Sequence, residues 1–280
     1  ADFGSQGEWP SHPELLDWLA VELIEHDWDI QHIVRLIVSS EAYQRASTST
    51  PEQLVADPQN RLLARGPRFR LSAEMVRDAA LKSSGLLVHR IGGPSVNPYM
   101  PVDLWREVSH YGSTPATSQV FVQDHGEKLY RRSMYTYWKR TAPPPNMMAF
   151  DTPNREVCTV ARAGTTTPLQ SLVTLNDVQF VECARLLAQD VLKHSTNDTE
   201  RVRRAFRLCL TRDPRPEEVK IVLTMVAKEL SRYRTHPQAV AMVLSNGESP
   251  QDSRLDPVEH AAWTQVASMI LNLSETITRN

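Results

Sequence analysis

The residues best able to do chemistry crowd into one stretch. From Lys128 to Arg162 stand seven basic residues, Lys128, Arg131, Arg132, Lys139, Arg140, Arg155 and Arg162, against two acids, Asp151 and Glu156. The stretch carries +5 in a chain of 280 residues whose formal net charge is -2, so the remainder carries -7. Tyr130, Tyr135, Tyr137 and Trp138 are interleaved with the bases. Aromatic faces beside guanidinium forks suit a planar or sugar-like ligand bearing carboxylate or sulfate. The expected contacts are Arg131, Arg132, Trp138, Lys139, Arg140, Arg155 and Arg162, with arginine forking the anion and Trp138 stacking on an apolar sugar face. An equally weighted alternative is that these arginines pair with acidic helices elsewhere in the chain.

The other chemical groups are less concentrated. Thr165-Thr166-Thr167 opens a helix with Pro168 at its first position, and free N–H groups with hydroxyls there can hold an anion, although simple capping is commoner. Asp151 and Arg155 flank a Pro-Asn turn, which an Asx-turn with a local ion pair explains. His26 and His32 are six apart and do not share a helical face. Asp124-His125-Gly126-Glu127 offers metal-ligating types in a loop, but a polar turn serves as well, and no metal is expected. No catalytic residue is assigned. Asp151, His125 and Glu127 are the weak acid/base candidates, chosen only because they fall in the same segment.

Several classes are excluded. Ten glycines against 19 prolines leave little material for phosphate loops, and Gly92-Gly93-Pro94-Ser95 lacks the lysine and spacing of one. There is no G-x-S-x-G and no H-E-x-x-H. Net charge near zero argues against a dedicated nucleic-acid binder. No apolar run reaches 18 residues. Cys158, Cys183 and Cys209 form no disulfide framework or haem-attachment motif, and the latter two sit in apolar helical patterns as small core residues.

The elements that must position these groups are mostly helical. Ser11 to Glu14 reads as a capping box for a first helix, and Asp29 as the cap of a second over 30–43. A third spans 71–87. From 91 to 167 helical periodicity fades among prolines, and the runs 119–123 and 129–138 alternate like two strands joined at Gly126. Thr167 to Gln170 is a second capping box, for a pattern reaching about His194 with a break near Asn176-Asp177. Helices over 199–210, 216–233 and 237–244 follow, and Asp256 caps a last one to about Ile277. The expected fold is mainly α, with a small β-hairpin insert in the central irregular region. It is read as one domain: helical 11–90, irregular with the insert 91–167, helical 168–280.

Several blocks together resemble a known family. They are Asp2 to Ala20, Ser72 to Asp78, Ile91 to Val96, Arg131 to Tyr135, Trp138-Lys139-Arg140, Phe150-Asp151, Pro153 to Glu156, Cys158 to Val160, Thr165 to Asn176, and Leu271 to Thr276. In order and number they are similar to the planctomycete-specific domain of unknown function. That resemblance implies a C-terminal domain of a larger exported protein, with a second domain of unknown function and a cytochrome c domain as companions. It implies an N-terminally truncated fragment and a periplasmic or cell-envelope setting. No cofactor is expected in the fragment itself, and a c-type haem is expected elsewhere in the full protein. Ala161, Gly164 and Thr166 stand where the family has Arg, Arg and Asn, which implies a weaker or altered anion pocket in this copy.

The leading expectation is a non-catalytic binding or interaction module for an acidic glycan or an acidic partner surface. The runner-up is a polysaccharide-acting enzyme domain coupled to the cytochrome c domain, and a third reading is a purely structural docking domain. An anionic polysaccharide and the companion domains are the expected partners, with no nucleic acid and no membrane span.

Overall fold

A computed structural model describes residues 4–108 and 120–279. The chain divides into two compact units, residues 1–69 with 278–280, and residues 70–277. The two short strands β1 (Phe69–Arg70) and β2 (Thr278–Arg279) pair as a two-stranded sheet, and helix accounts for nearly all other regular structure. The fold is mainly α.

The first unit begins with α1 (Pro13–Glu25). Pro13 occupies the first turn, so His12 is the capping residue and the Ser11 hydroxyl meets the His12 ring at 3.0 Å instead of capping. The helix closes in a Schellman arrangement. Trp28 N–H donates to the Leu23 carbonyl at 2.8 Å and Asp27 N–H to the Ile24 carbonyl at 3.3 Å. Asp27 and Trp28 both hold left-handed backbone, φ 53° and 62°. This reverses the chain into α2 (Ile30–Ser39), whose Asp29 cap accepts from Gln31 N–H at 2.8 Å.

The single helix expected over 30–43 is interrupted. Ser40 is extended; it ends α2 and caps α3 (Glu41–Gln44), accepting from Tyr43 N–H at 3.2 Å. A reciprocal Thr50–Gln53 box opens α4 (Pro51–Ala56). None of α1 to α4 holds a buried residue.

In the second unit, Ser72 caps α5 (Ala73–Ser83), and two one-turn helices follow, α6 (Leu104–Glu107) and α7 (Pro145–Met148). The break expected near Asn176-Asp177 is present. Asp177 is extended, ends α8 (Pro168–Asn176) and caps α9 (Val178–His194) through Gln179 N–H at 2.9 Å. Next come α10 (Asp198–Leu210), α11 (Pro216–Thr235), α12 (Pro237–Leu244) and α13 (Pro257–Leu271). The last helix stops short of Ile277. That side chain folds into the core, and its carbonyl takes Leu71 N–H at 3.0 Å.

The core forms around α9. Phe180, Cys183, Ala184, Leu187, Ala188 and Val191 are buried along it at helical spacing. They join Trp263, Val266, Ala267 and Ile270 of α13, Val202 and Phe206 of α10, Val222 and Val226 of α11, and Val76, Ala80 and Leu81 of α5 in one cluster. Each large apolar side chain buried here stabilises by about 1.5–3 kcal/mol. Cys183 and Cys209 are free thiols of this layer, each pushed up to about 12 by burial.

The central segment is not a hairpin. Its first run begins at Gln119, outside the described residues, and Val120 to Gln123 is not strand. Gly126–Tyr130 and Ser133–Tyr135 are 3-10 turns, and the only β contacts in this segment among the described residues are isolated parallel bridges, Val88 with Arg131 and Val96 with Thr136. Alternating burial holds from Arg131 to Met134, then shifts to every third residue at Thr136 and Lys139. The 3-10 turn changes the period, and side chains rather than a partner strand fix the backbone.

Candidate functional site

The basic segment belongs wholly to the second unit, and Arg77 organises it. This guanidinium on α5 is buried and donates to the carbonyls of Leu129 at 2.6 Å and Arg131 at 2.9 Å, to Ser133 Oγ at 3.1 Å and to Gln179 Oε1 at 2.8 Å. Its neighbour Asp78 accepts from both the N–H and the hydroxyl of Ser133 at 2.7 Å. Burial pushes the Arg77 pKa down; an arginine still keeps its proton. Consecutive residues of one helix thus pin 129–133 from both sides. Arg77 carries no sequence signal, because one arginine in an amphipathic helix has no pattern of its own.

The seven expected contacts separate into distinct environments. Arg131 is buried and donates to the carbonyls of Arg90 at 3.0 Å, Gly92 at 2.6 Å and Pro94 at 3.1 Å, with its guanidinium 3.8 Å over the Tyr135 ring. It clamps the Gly92-Gly93 turn, where both glycines have positive φ. Lys139 is buried with its ammonium 4.5 Å over Trp105, and burial pushes its pKa down. These two cations serve the interior. Arg132 faces Asp78 at 3.6 Å and Arg162 bonds Glu74 at 2.6 Å. Such pairing with α5 is the alternative weighed from the sequence.

Arg140 and Arg155 remain at the surface, while Trp138 is half-buried and packs against the core. The Arg155 guanidinium lies 4.5 Å over the Trp138 ring and makes no hydrogen bond or ion pair among the described residues. Trp138 Nε1 donates to the Asn154 carbonyl at 3.2 Å, and Asn154 Oδ1 accepts from Glu156 N–H at 3.0 Å, giving the expected Asx-turn. The ion pair expected within that turn does not form, because Arg155 turns to Trp138 at φ 64°. Arg140 faces Glu156 at 3.6 Å, both at least half exposed. An exposed pair of this kind is worth about 0–1 kcal/mol, so either partner is easily exchanged. The chemistry on offer is a rigid cationic fork on an aromatic platform, with a second arginine beside it.

The acid/base candidates do not converge. Asp151, itself at φ 59°, accepts from Thr165 N–H at 2.8 Å and Thr165 Oγ1 at 2.9 Å. The Thr165 donors ahead of the helix, where an anion was weighed against the commoner simple capping, are thus taken by the chain's own carboxylate, and Thr167 makes no side-chain cap bond. Gln170, expected to complete a capping box, instead accepts from Arg70 at 2.6 Å and donates to the Thr165 carbonyl at 3.1 Å. His125 Nδ1 meets Glu248 Oε1 at 2.6 Å, and Glu127 is exposed without a partner among the described residues.

Two further arrangements carried no sequence signal. Trp105 packs with Phe121 and Tyr137, ring centroids 5.2 and 5.9 Å away, beside a cleft of about 490 Å³ that Arg106 and Gln123 also line. Deeper, fully buried Glu182 accepts from Tyr130 Oη and Ser249 N–H, both at 2.8 Å, with Arg185 3.9 Å away. Burial pushes the Tyr130 phenol up to about 12. Gly247, at φ 80°, closes over Glu182 so tightly that a Cβ would overlap the carboxyl.

A family model covers residues 1–226, most of the chain. The chain belongs to PSD1, a family of proteins of unknown function (DUF1553). No curated protein and no solved structure gives a significant match. In this PSD1 chain the blocks that carry the family resemblance meet in space. Arg77 and Asp78 hold 131–133, Arg131 holds 90–94, and Gly92 N–H donates to Tyr135 Oη at 2.7 Å. Much of that block is therefore a folding device, and Arg155, over the half-buried Trp138, faces solvent.

Proposed function

We propose that this PSD1 chain is a non-catalytic recognition module for an acidic ligand, of the acidic-glycan class, working within an exported multidomain protein of the cell envelope. The observation that carries this reading is Arg155, stacked on Trp138 with its N–H groups uncommitted, next to an Arg140 held only by an exposed ion pair. A guanidinium fork fixed over an indole loses little freedom on meeting carboxylate or sulfate. The companion domains, including the cytochrome c domain and its haem, belong to this proposal and not to the chain described. The test is binding to sulfated and uronate-rich glycans across a salt series. Affinity that falls with added salt and weakens in Arg140→Ala supports the module; no salt-sensitive binding removes it.

One observation favours a second reading, a docking domain. In the first unit, Leu15, Trp18, Leu36, Ile37 and Tyr43 line an apolar groove of about 610 Å³. An uncovered apolar face of this kind marks an interaction surface. Among the described residues no helix is long and apolar enough to cross a membrane. Co-purification of the companion domains, lost in Trp18→Ser and retained in Arg155→Ala, supports docking rather than glycan recognition.

A further inference from the structure

The first unit brings together three side chains that no sequence pattern joins. Glu22 lies on α1, His26 just beyond its end and His32 on α2. The left-handed turn at Asp27 and Trp28 folds α2 back, so that the two imidazoles stack with centroids 3.9 Å apart and planes 11° from parallel. Glu22 Oε1 lies 2.9 Å from His32 Nε2 and 3.5 Å from His26 Nδ1. One ligand atom from each of the three residues lies within 4.8 Å of the other two.

We propose that Glu22, His26 and His32 form a binding site for a divalent transition metal ion of the zinc class. Two imidazoles and one carboxylate are a donor set that such ions take. Ligand atoms at about 2.0–2.2 Å from a tetrahedral ion are roughly 3.4 Å apart, and the ion lies in the plane of each imidazole that binds it, so one ring must swing out of the stack, a move that completes the shell. His26, 45% exposed, has the freedom to make it, while Glu22 and His32, at 18% and 24%, are held more firmly.

As the site stands, His26 Nδ1 donates to the Glu22 carbonyl at 2.9 Å and the His32 Nε2 hydrogen points at the Glu22 carboxylate. Moving each hydrogen to the opposite ring nitrogen frees a lone pair on His32 Nε2 and on His26 Nδ1, and His26 gives up its bond to the Glu22 carbonyl as its ring swings toward the carboxylate. Three protein ligands leave a fourth position for water or an exogenous group, the arrangement of an open rather than a closed zinc site.

The experiment is titration of the chelator-treated full chain with Zn²⁺ by calorimetry, with Co²⁺ absorption as a second readout. One equivalent of Zn²⁺ is expected to bind. Affinity should fall about tenfold or more in His26→Ala and in His32→Ala and stay unchanged in His89→Ala, an exposed histidine elsewhere. Glu22→Gln keeps a hydrogen-bonding side chain beside both rings, so it should retain the circular dichroism of the parent and still lose affinity. A Co²⁺ spectrum showing nitrogen and oxygen ligation, absent in His32→Ala, supports the same three ligands. Absence of stoichiometric Zn²⁺ binding, or binding indifferent to the folded Glu22→Gln and His26→Ala variants, overturns the site.

Discussion

Asp151 takes both the backbone N–H and the hydroxyl of Thr165, at 2.8 and 2.9 Å, and so occupies the place an external anion would otherwise find before α8. Asp151→Ala empties it and leaves the Thr165 donors without a partner. The expected result is a loss of about 1–2 kcal/mol in stability, partly restored by added sulfate. Denaturant unfolding with and without sulfate measures this. Restoration absent from the variant would mean that the helix start is only a cap.

Arg77 is the residue on which the central segment most depends. Replacing it with Met keeps much of the volume but leaves the carbonyls of Leu129 and Arg131, the Ser133 hydroxyl and the Gln179 amide each short of a partner. At about 1–3 kcal/mol for each buried group so left, and with partial relaxation, Arg77→Met should cost about 3–5 kcal/mol. Arg140→Ala, which breaks only an exposed pair, should cost less than about 1 kcal/mol. Comparable losses in the two variants, read by urea unfolding, would contradict the division into interior and surface cations.

An acid-sensitive clasp lies at Arg212, which bonds Glu218 at 2.8 Å and Glu275 at 2.6 Å. The Arg212 hydrogen bonds hold the Glu218 carboxyl down to about 2, below its ordinary value near 4.5. A carboxylate depressed in the fold lends stability that is fully present above its unfolded pKa and is lost as pH falls toward its folded one. The clasp should therefore weaken between about pH 4.5 and pH 2. Its worth is about 1 kcal/mol once solvent screening is allowed for. Arg212→Ala should be less stable than the parent at pH 7, with the gap narrowing below pH 4.5. A gap that does not change with pH would show that Arg212 acts through packing alone.

The helices were legible because local rules fixed them: Asp29 and Asp256 cap where their positions before apolar runs said they would, and the break expected near Asn176-Asp177 is where α8 ends. The central segment was misread because alternating residues at 131–134 look the same whether a neighbouring strand or a buried guanidinium holds them. Arg77 lies more than fifty residues away from the backbone it binds, and no local pattern reports that. The seven cations stand out in the sequence as a group. Their separation into clamps, ion pairs and one exposed fork depends on tertiary contacts that composition does not encode. His26 and His32 do not share a helical face, as expected; they meet across a turn made by two non-glycine residues in left-handed backbone, a conformation that sequence rules do not anticipate there.

Recognition of an acidic ligand rests on the exposed Arg155 fork, and Arg155→Ala removes it while leaving the buried clamps in place. Affinity for a sulfated glycan should be measured at several salt concentrations in the parent and in this variant, with stability checked in both. Affinity is expected to be about tenfold weaker in the variant, with a shallower salt dependence and unfolding that shifts by less than about 1 kcal/mol. Equal affinity with equal salt dependence in the two proteins would contradict it.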